Sequence, residues 1–99
     1  MQSNDIYRDK VRFKAGRATV TPAAAAALEL AKVHDILLLA RHIHGDWGDL
    51  GERDRLQNEL AVLLDLGIRS RYALPTGSVI CVTTEADRSA TTMRLTDCG

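Results

Sequence analysis

The chain has 99 residues, 45% of them apolar and 26% charged, which suits one small globular domain with a thin core. Thirteen basic and thirteen acidic side chains cancel, so the bulk attraction that drives non-specific nucleic-acid binding is missing from the molecule as a whole. No apolar run approaches the roughly 18 residues a membrane span needs, and no basic start leads into an apolar stretch and a cleavage site. A cytoplasmic protein without membrane contact is expected.

Residues 1–9 are polar and expected to be disordered, within a single domain covering residues 1–99. Val11-Arg12-Phe13-Lys14 alternates apolar and basic residues and Ala18-Thr19-Val20 follows Gly16, which predicts a strand or irregular hairpin ending at Thr21. Thr21-Pro22 has the chemistry of a helix start: threonine caps free amides, and proline at the first helical position gives up an N–H that would be unpaired anyway. The alanines at 23–27 then favour a helix over about 22–32. Asp35 is a suitable cap for a second helix, in which Ile36, Leu39, Ala40 and Ile43 share one face and Gly45 ends the run. Leu37 and Leu38 widen that apolar surface and predict a central helix packed on two sides. A third helix is expected over about 52–66, with Leu56, Leu60, Leu63 and Leu64 inward and Gly67 as its C-cap.

From Ile68 the period becomes strand-like, with Ile68, Ser70, Tyr72 and Leu74 on one side and Arg69, Arg71 and Ala73 on the other. Pro75-Thr76-Gly77 reads as a tight hairpin loop, because proline presets φ and glycine accepts positive φ. Val79-Ile80-Cys81-Val82 is continuously apolar, as in a central strand covered on both faces. Glu85-Ala86-Asp87-Arg88-Ser89 makes the next turn, and Thr91-Thr92-Met93-Arg94-Leu95 a last strand. The expected fold class is α+β: about three helices on one face of a small antiparallel sheet of three to four strands, the N-terminal strand completing an edge.

His42, His44 and Asp46 carry ligand chemistry for zinc, but residues two apart on a helix diverge by about 200°, so no metal site is expected there. Histidines near a helix C-terminus are instead favoured as imidazolium by the helix dipole. Trp47, between Asp46 and Gly48, reads as a core plug joining helices to sheet more than as a base-stacking platform. Arg71, Glu85 and Arg88 with His42 or His44 hold the groups a metal-independent ribonuclease needs: a base for the 2′-hydroxyl proton, an acid, and positive charge on the phosphate. No P-loop, dinucleotide glycine motif, nucleophile elbow, CxxC pair or HExxH is present, and no cofactor is expected. Cys81, inside an apolar strand, and Cys98, at the end of the chain, are expected to be free thiols.

The run Gly45-Asp46-Trp47-Gly48-Asp49-Leu50, followed by Arg69-Ser70-Arg71-Tyr72 and by Thr84-Glu85-Ala86-Asp87-Arg88-Ser89-Ala90-Thr91-Thr92, resembles a family of small uncharacterised proteins carried on plasmids and integrative elements of proteobacteria. The likeness spans most of residues 20–95, and departs at Cys81, where relatives tend to have tryptophan, and in the tail at 96–99. It implies a mobile-element setting without implying an activity. The helices-then-sheet order also looks broadly like the barnase and RelE class of small ribonucleases, at the level of fold alone.

Charge is uneven along the chain. Residues 1–20 hold five basic against two acidic side chains, a net of +3, and residues 45–66 hold two against six, a net of −4. Size, neutrality, the missing catalytic signatures and the resemblance together point to a small binding protein acting by protein–protein contact, with an anti-CRISPR or antirestriction inhibitor as its specific form. Its partner would be a host protein or nuclease complex, met by Asp46, Asp49, Glu52 and Asp54, whose clustered carboxylates can mimic phosphates before a basic effector. The alternative is the toxin-like ribonuclease, the one reading that would bring in nucleic acid.

Overall fold

A computed structural model of the chain describes residues 10–96, so the expectations for residues 1–9 and for Cys98 fall outside the described residues. In chain order the elements are β1 (Arg17–Val20), α1 (Pro22–Ala31), α2 (Asp35–Ile43), α3 (Glu52–Leu64), β2 (Ile68–Ala73), β3 (Val79–Thr84) and β4 (Ala90–Thr96). Three helices and a four-stranded sheet make an α+β domain. The strand order is β1-β4-β3-β2. β2, β3 and β4 form the expected antiparallel meander, and β1 completes the edge. That edge strand runs parallel to β4, so the sheet is mixed. No hairpin constrains β1, because all three helices intervene before its partner strand is reached.

Local chemistry explains α1 directly. Thr21 Oγ1 accepts from Ala24 N at 3.2 Å, Pro22 fills the first turn, and Lys32 closes the helix in the left-handed region at φ 59°. In α2 the cap is His34, and Asp35 sits one residue later in the first turn, where a carboxylate faces the positive end of the helix dipole. Residues 11–14 form no strand: Arg12 N bonds to Ile43 O, and Phe13 turns inward as a buried plug.

Two helices orient differently from their sequence pattern. α2 packs on one side only, burying Leu38 and His42 while leaving Ile36 and Leu37 exposed. α3 presents Asn58 and Ala61 to the protein, so the leucines expected inside lie outside. It also ends early, at Leu64, with Asp65 rather than Gly67 taking the left-handed cap at φ 56°. Leu66 N then reaches back to Ala61 O.

β2 and β3 alternate strictly, and β4 does so over its first half. Ile68, Ser70 and Tyr72 of β2 share a buried face with Ile80, Val82 and Thr84 of β3 and with Thr91 and Met93 of β4. Among the described residues no helix lies over the opposite face, so β3 is central in the sheet yet packed by helices on one side, and its outward residues are half-buried, contrary to the continuous apolar pattern of its sequence. Beneath the helices the core forms two clusters. One gathers Leu28, Leu38, Tyr72, Ile80, Val82 and Met93. The other gathers Phe13, Trp47, Leu50, Ala61 and Ile68.

Candidate functional site

β2 is an edge strand whose outward N–H and C=O groups would normally invite another chain. Here residues 46–49 and one side chain of α3 close that edge. Asn58 accepts from Arg69 N at 3.3 Å and donates to Arg69 O at 2.7 Å. Arg71 N donates to Trp47 O, and Asp49 N donates to Arg71 O at 2.7 Å. The Asp49 carboxylate takes the next outward amide, Ala73 N, at 2.8 Å. Gly48 runs alongside Arg71 with φ +74°, and a Cβ built there would stand 1.9 Å from Arg71 O, so only glycine fits. Asp46 accepts from Gly48 N, as a cap of the following turn, and pairs with Arg41 at 2.7 Å, which holds its carboxyl below the usual range. Tyr72 donates its hydroxyl to Asp46 O. Trp47 is buried as a core plug, stacks on Phe13 and donates from Nε1 to Glu59 at 3.0 Å, which in turn pairs with Arg12 at 2.7 Å.

These bonds redistribute the expected partner-binding set. Asp46 and Asp49 are engaged inside the molecule as parts of an edge clasp. Glu52 and Asp54 lie exposed in the first turn of α3, where their charge also suits the helix dipole.

His42 is fully buried at the junction of the two core clusters, with its ring against Phe13 and Trp47. Nδ1 meets Ser70 Oγ at 2.5 Å and Nε2 meets Thr84 Oγ1 at 2.9 Å. Thr84 meets Thr91 at 2.6 Å, and Thr91 donates to Ala15 O at 2.7 Å. The proton order follows from this terminus. Thr91 has spent its one hydrogen on a carbonyl, so Thr84 donates to Thr91, His42 Nε2–H donates to Thr84, and Ser70 donates to the bare Nδ1. The chain is satisfied with a neutral ring. Burial accordingly pushes the imidazole down to about 4, which corrects the expectation of an imidazolium at a helix C-terminus. His44 Nδ1 donates to Ala40 O at 2.7 Å, within its own helix. Among the described residues no group of three or more metal-ligating side chains comes together.

The ribonuclease constellation is dispersed. Arg88, at φ 62°, donates to Ala61 O at 3.0 Å and Leu66 O at 2.7 Å, and to Glu85 O and Ala86 O of its own turn. It therefore completes the C-terminal end of α3 and lies over the Phe13 ring. Arg71 stands opposite Cys81, on the sheet face away from the helices. Glu85 follows β3 four positions beyond Cys81, about 13 Å along the strand. His42 lies on the other side of the sheet. The sheet thus separates Arg71 from His42, while Arg88 bonds to Glu85 O and shares the Phe13 ring with His42.

Three surface features remain. The first is the outer face of α3, where Leu56 is 60%, Leu60 51%, Leu63 76% and Leu64 61% exposed. The second is a hollow of about 390 Å³ floored by Val20, Leu28 and Val33 and rimmed by Glu29, Lys32, His34 and Asp35. The third is the sheet face away from the helices, with a smaller hollow of about 220 Å³ among Arg69, Arg71, Cys81 and Thr96. Sequence reading missed the roles of Asn58 and of the Ser70–His42–Thr84–Thr91 chain. Its signal was nevertheless there, since Ser70, Thr84 and Thr91 occupy inward positions of strands whose other inward residues are apolar. Among the described residues no helix is long and apolar enough to cross a membrane. No protein-family model, curated protein or solved structure matches the chain.

Proposed function

We propose that this protein is a binding module that acts by protein–protein contact, and that the outer face of α3 is its contact surface. The observation that carries this reading is the set of four leucines turned to solvent at i, i+4, i+7 and i+8 of one helix. Together they expose apolar area on the order of 400 Å², a size at which patches on single chains are commonly functional. Water around such a stripe is released when a groove receives it, and the spacing of the anchors is that of a helix laid into an apolar groove. Glu52 stands at the N-terminal end of the stripe, with Asp54 in the same first turn on the Asn58 side, so a partner with an apolar groove and a basic rim is the complementary shape. The narrower form of the reading, a mobile-element inhibitor of a host nuclease complex, is supported by the motif resemblance.

The test is protection of phage by induced expression in hosts with active CRISPR or restriction systems. Wild type should raise plating efficiency, Leu60→Glu/Leu63→Glu should abolish the rise while keeping the native circular dichroism spectrum, and Glu52→Lys/Asp54→Lys should reduce it. Unchanged plating with wild type against every system sinks the inhibitor form. Full protection by the leucine variant removes α3 as the surface.

A further inference from the structure

The sheet has two edges, and the described residues close only one of them. At β2 the outward backbone groups meet residues 46–49 and Asn58. At the other edge β1 spends the backbone of alternate residues on β4: Arg17 N donates to Ser89 O and Thr21 N to Met93 O, both at 3.0 Å, and the parallel register turns Thr19 the same way. Ala18 and Val20 therefore point their N–H and C=O groups away from the sheet, and no hydrogen bond reaches those groups among the described residues. Gly16, in the left-handed region, and Pro22, without an N–H, bound this open stretch. The helix layer also stops short of it. Ala18 and Val20 share the inner face with Thr91 and Met93, yet Ala18 is exposed and Val20 half-buried where Thr91 and Met93 are buried. Val20 is also the one strand residue lining the hollow of about 390 Å³ beside α1.

We infer that a second copy of this chain occupies the open edge, with β1 pairing antiparallel to its own copy across a two-fold axis at Thr19, so that the two sheets join into one. An open strand edge is a template for pairing, and this one is complementary to itself. In that register Ala18 stands opposite the partner's Val20 and Val20 opposite the partner's Ala18, and each opposed pair exchanges both of its N–H···O=C bonds. Every outward N–H and C=O of both strands is then used. A slip of one residue would set outward groups against groups already bonded to β4, and the other even registers bring in Gly16 or Pro22 and leave half of the groups open. The side chains agree with the bonds. Ala18 and Val20 stay on the helix side, Thr19 meets the partner's Thr19 in a favourable cross-strand pair, and the two copies of Arg17 stand about 13 Å apart along the strands. The rim of the hollow carries Glu29 and Asp35 with Lys32, so a like copy brings no field of a single sign against it. α3 packs at β2, the far edge of the sheet, so both leucine faces stay open in the dimer and the two surfaces do not compete. A contact built on one four-residue strand falls below the roughly 1,200 Å² of a standard interface, so weak, micromolar association is expected.

Sedimentation equilibrium reads the association, and wild type should pass from monomer to dimer between about 10 and 500 μM. Ala18→Pro removes an outward N–H that no bond to β4 uses, so it should keep the native circular dichroism spectrum and weaken the dimer at least tenfold. Leu60→Glu/Leu63→Glu on α3 should leave it within twofold. A cross-link reads the register. In a Cys81→Ser/Cys98→Ser background, Thr19→Cys should give a disulfide-linked dimer under mild air oxidation, because residues facing each other at a non-hydrogen-bonded site stand about 4.5 Å apart, and Arg17→Cys should not. Several results overturn the inference: a monomer at every concentration, wild-type association in Ala18→Pro, or equal cross-linking by the two cysteine variants. A dimer abolished by the leucine variant would also overturn it, assigning self-association to α3. So would a monomer whose Ala18 and Val20 amides are protected from hydrogen exchange, which would assign the edge to another segment of the same chain.

Discussion

The two sides of α3 reverse the usual order of an amphipathic helix. The side against the protein carries Asn58 and Ala61, and the side toward solvent carries four leucines. The inner side is polar and small because α3 lies along the edge of β2, where the requirement is to satisfy backbone N–H and C=O groups at close range, not to fill apolar volume. The outer side therefore owes nothing to the folded monomer. Apolar periodicity reports which residues are destined for burial somewhere, and in this helix the burial it encodes is not supplied by the chain's own described residues.

The comparison can be broken first at the clasp. Gly48→Ala forces a left-handed backbone on an L residue and drives a methyl into Arg71 O, so a loss on the order of 4 kcal/mol is expected, read as a large fall in the urea midpoint. Wild-type stability in this variant would mean that residues 46–49 do not close the edge.

Acid should act on the buried polar chain next. His42 has a folded value of about 4 against 6.5 for a free imidazole, so the unfolded chain binds the extra proton between those values. The stabilisation from keeping the ring neutral is complete above pH 6.5 and is lost as pH falls toward 4, by about 3 kcal/mol in all. Thermal melts across that window should show the decline, and His42→Gln should flatten it whatever its effect on stability at neutral pH.

The smallest effects sharpen the contrast within α3 itself. Asn58→Ala removes both bonds to Arg69 and should cost about 2 kcal/mol, whereas Leu63→Ala on the outer face should stay within about 0.5 kcal/mol. Denaturant titration of the pair decides the matter: a larger loss at Leu63 than at Asn58 would show that the leucine face is buried in solution, by self-association or otherwise.

Much of the architecture was legible in the residues alone. The Thr21-Pro22 start, the tight loop around Gly77, the alternation of Ile68, Ser70, Tyr72 and Leu74 and the α+β class all follow from local sterics, hydrogen-bonding capacity and side-chain period, which act over a few residues. The burial of Trp47 was legible for the same reason, since a lone large aromatic in a glycine-flanked turn has few other places to go. Tertiary structure alone decided the rest. The parallel pairing of β1, the outward leucines of α3, the edge clasp built from Asp49 and Asn58, and the convergence of Ser70, His42, Thr84 and Thr91 all join residues far apart in sequence. The same is true of the sheet face away from the helices, which Arg69 and Arg94 share only through the register of three strands. A local pattern can state that a residue is apolar, charged or able to cap, but which group it meets is set by how the sheet closes, because each such contact exists only once the whole chain has paid the entropy of bringing its distant parts together.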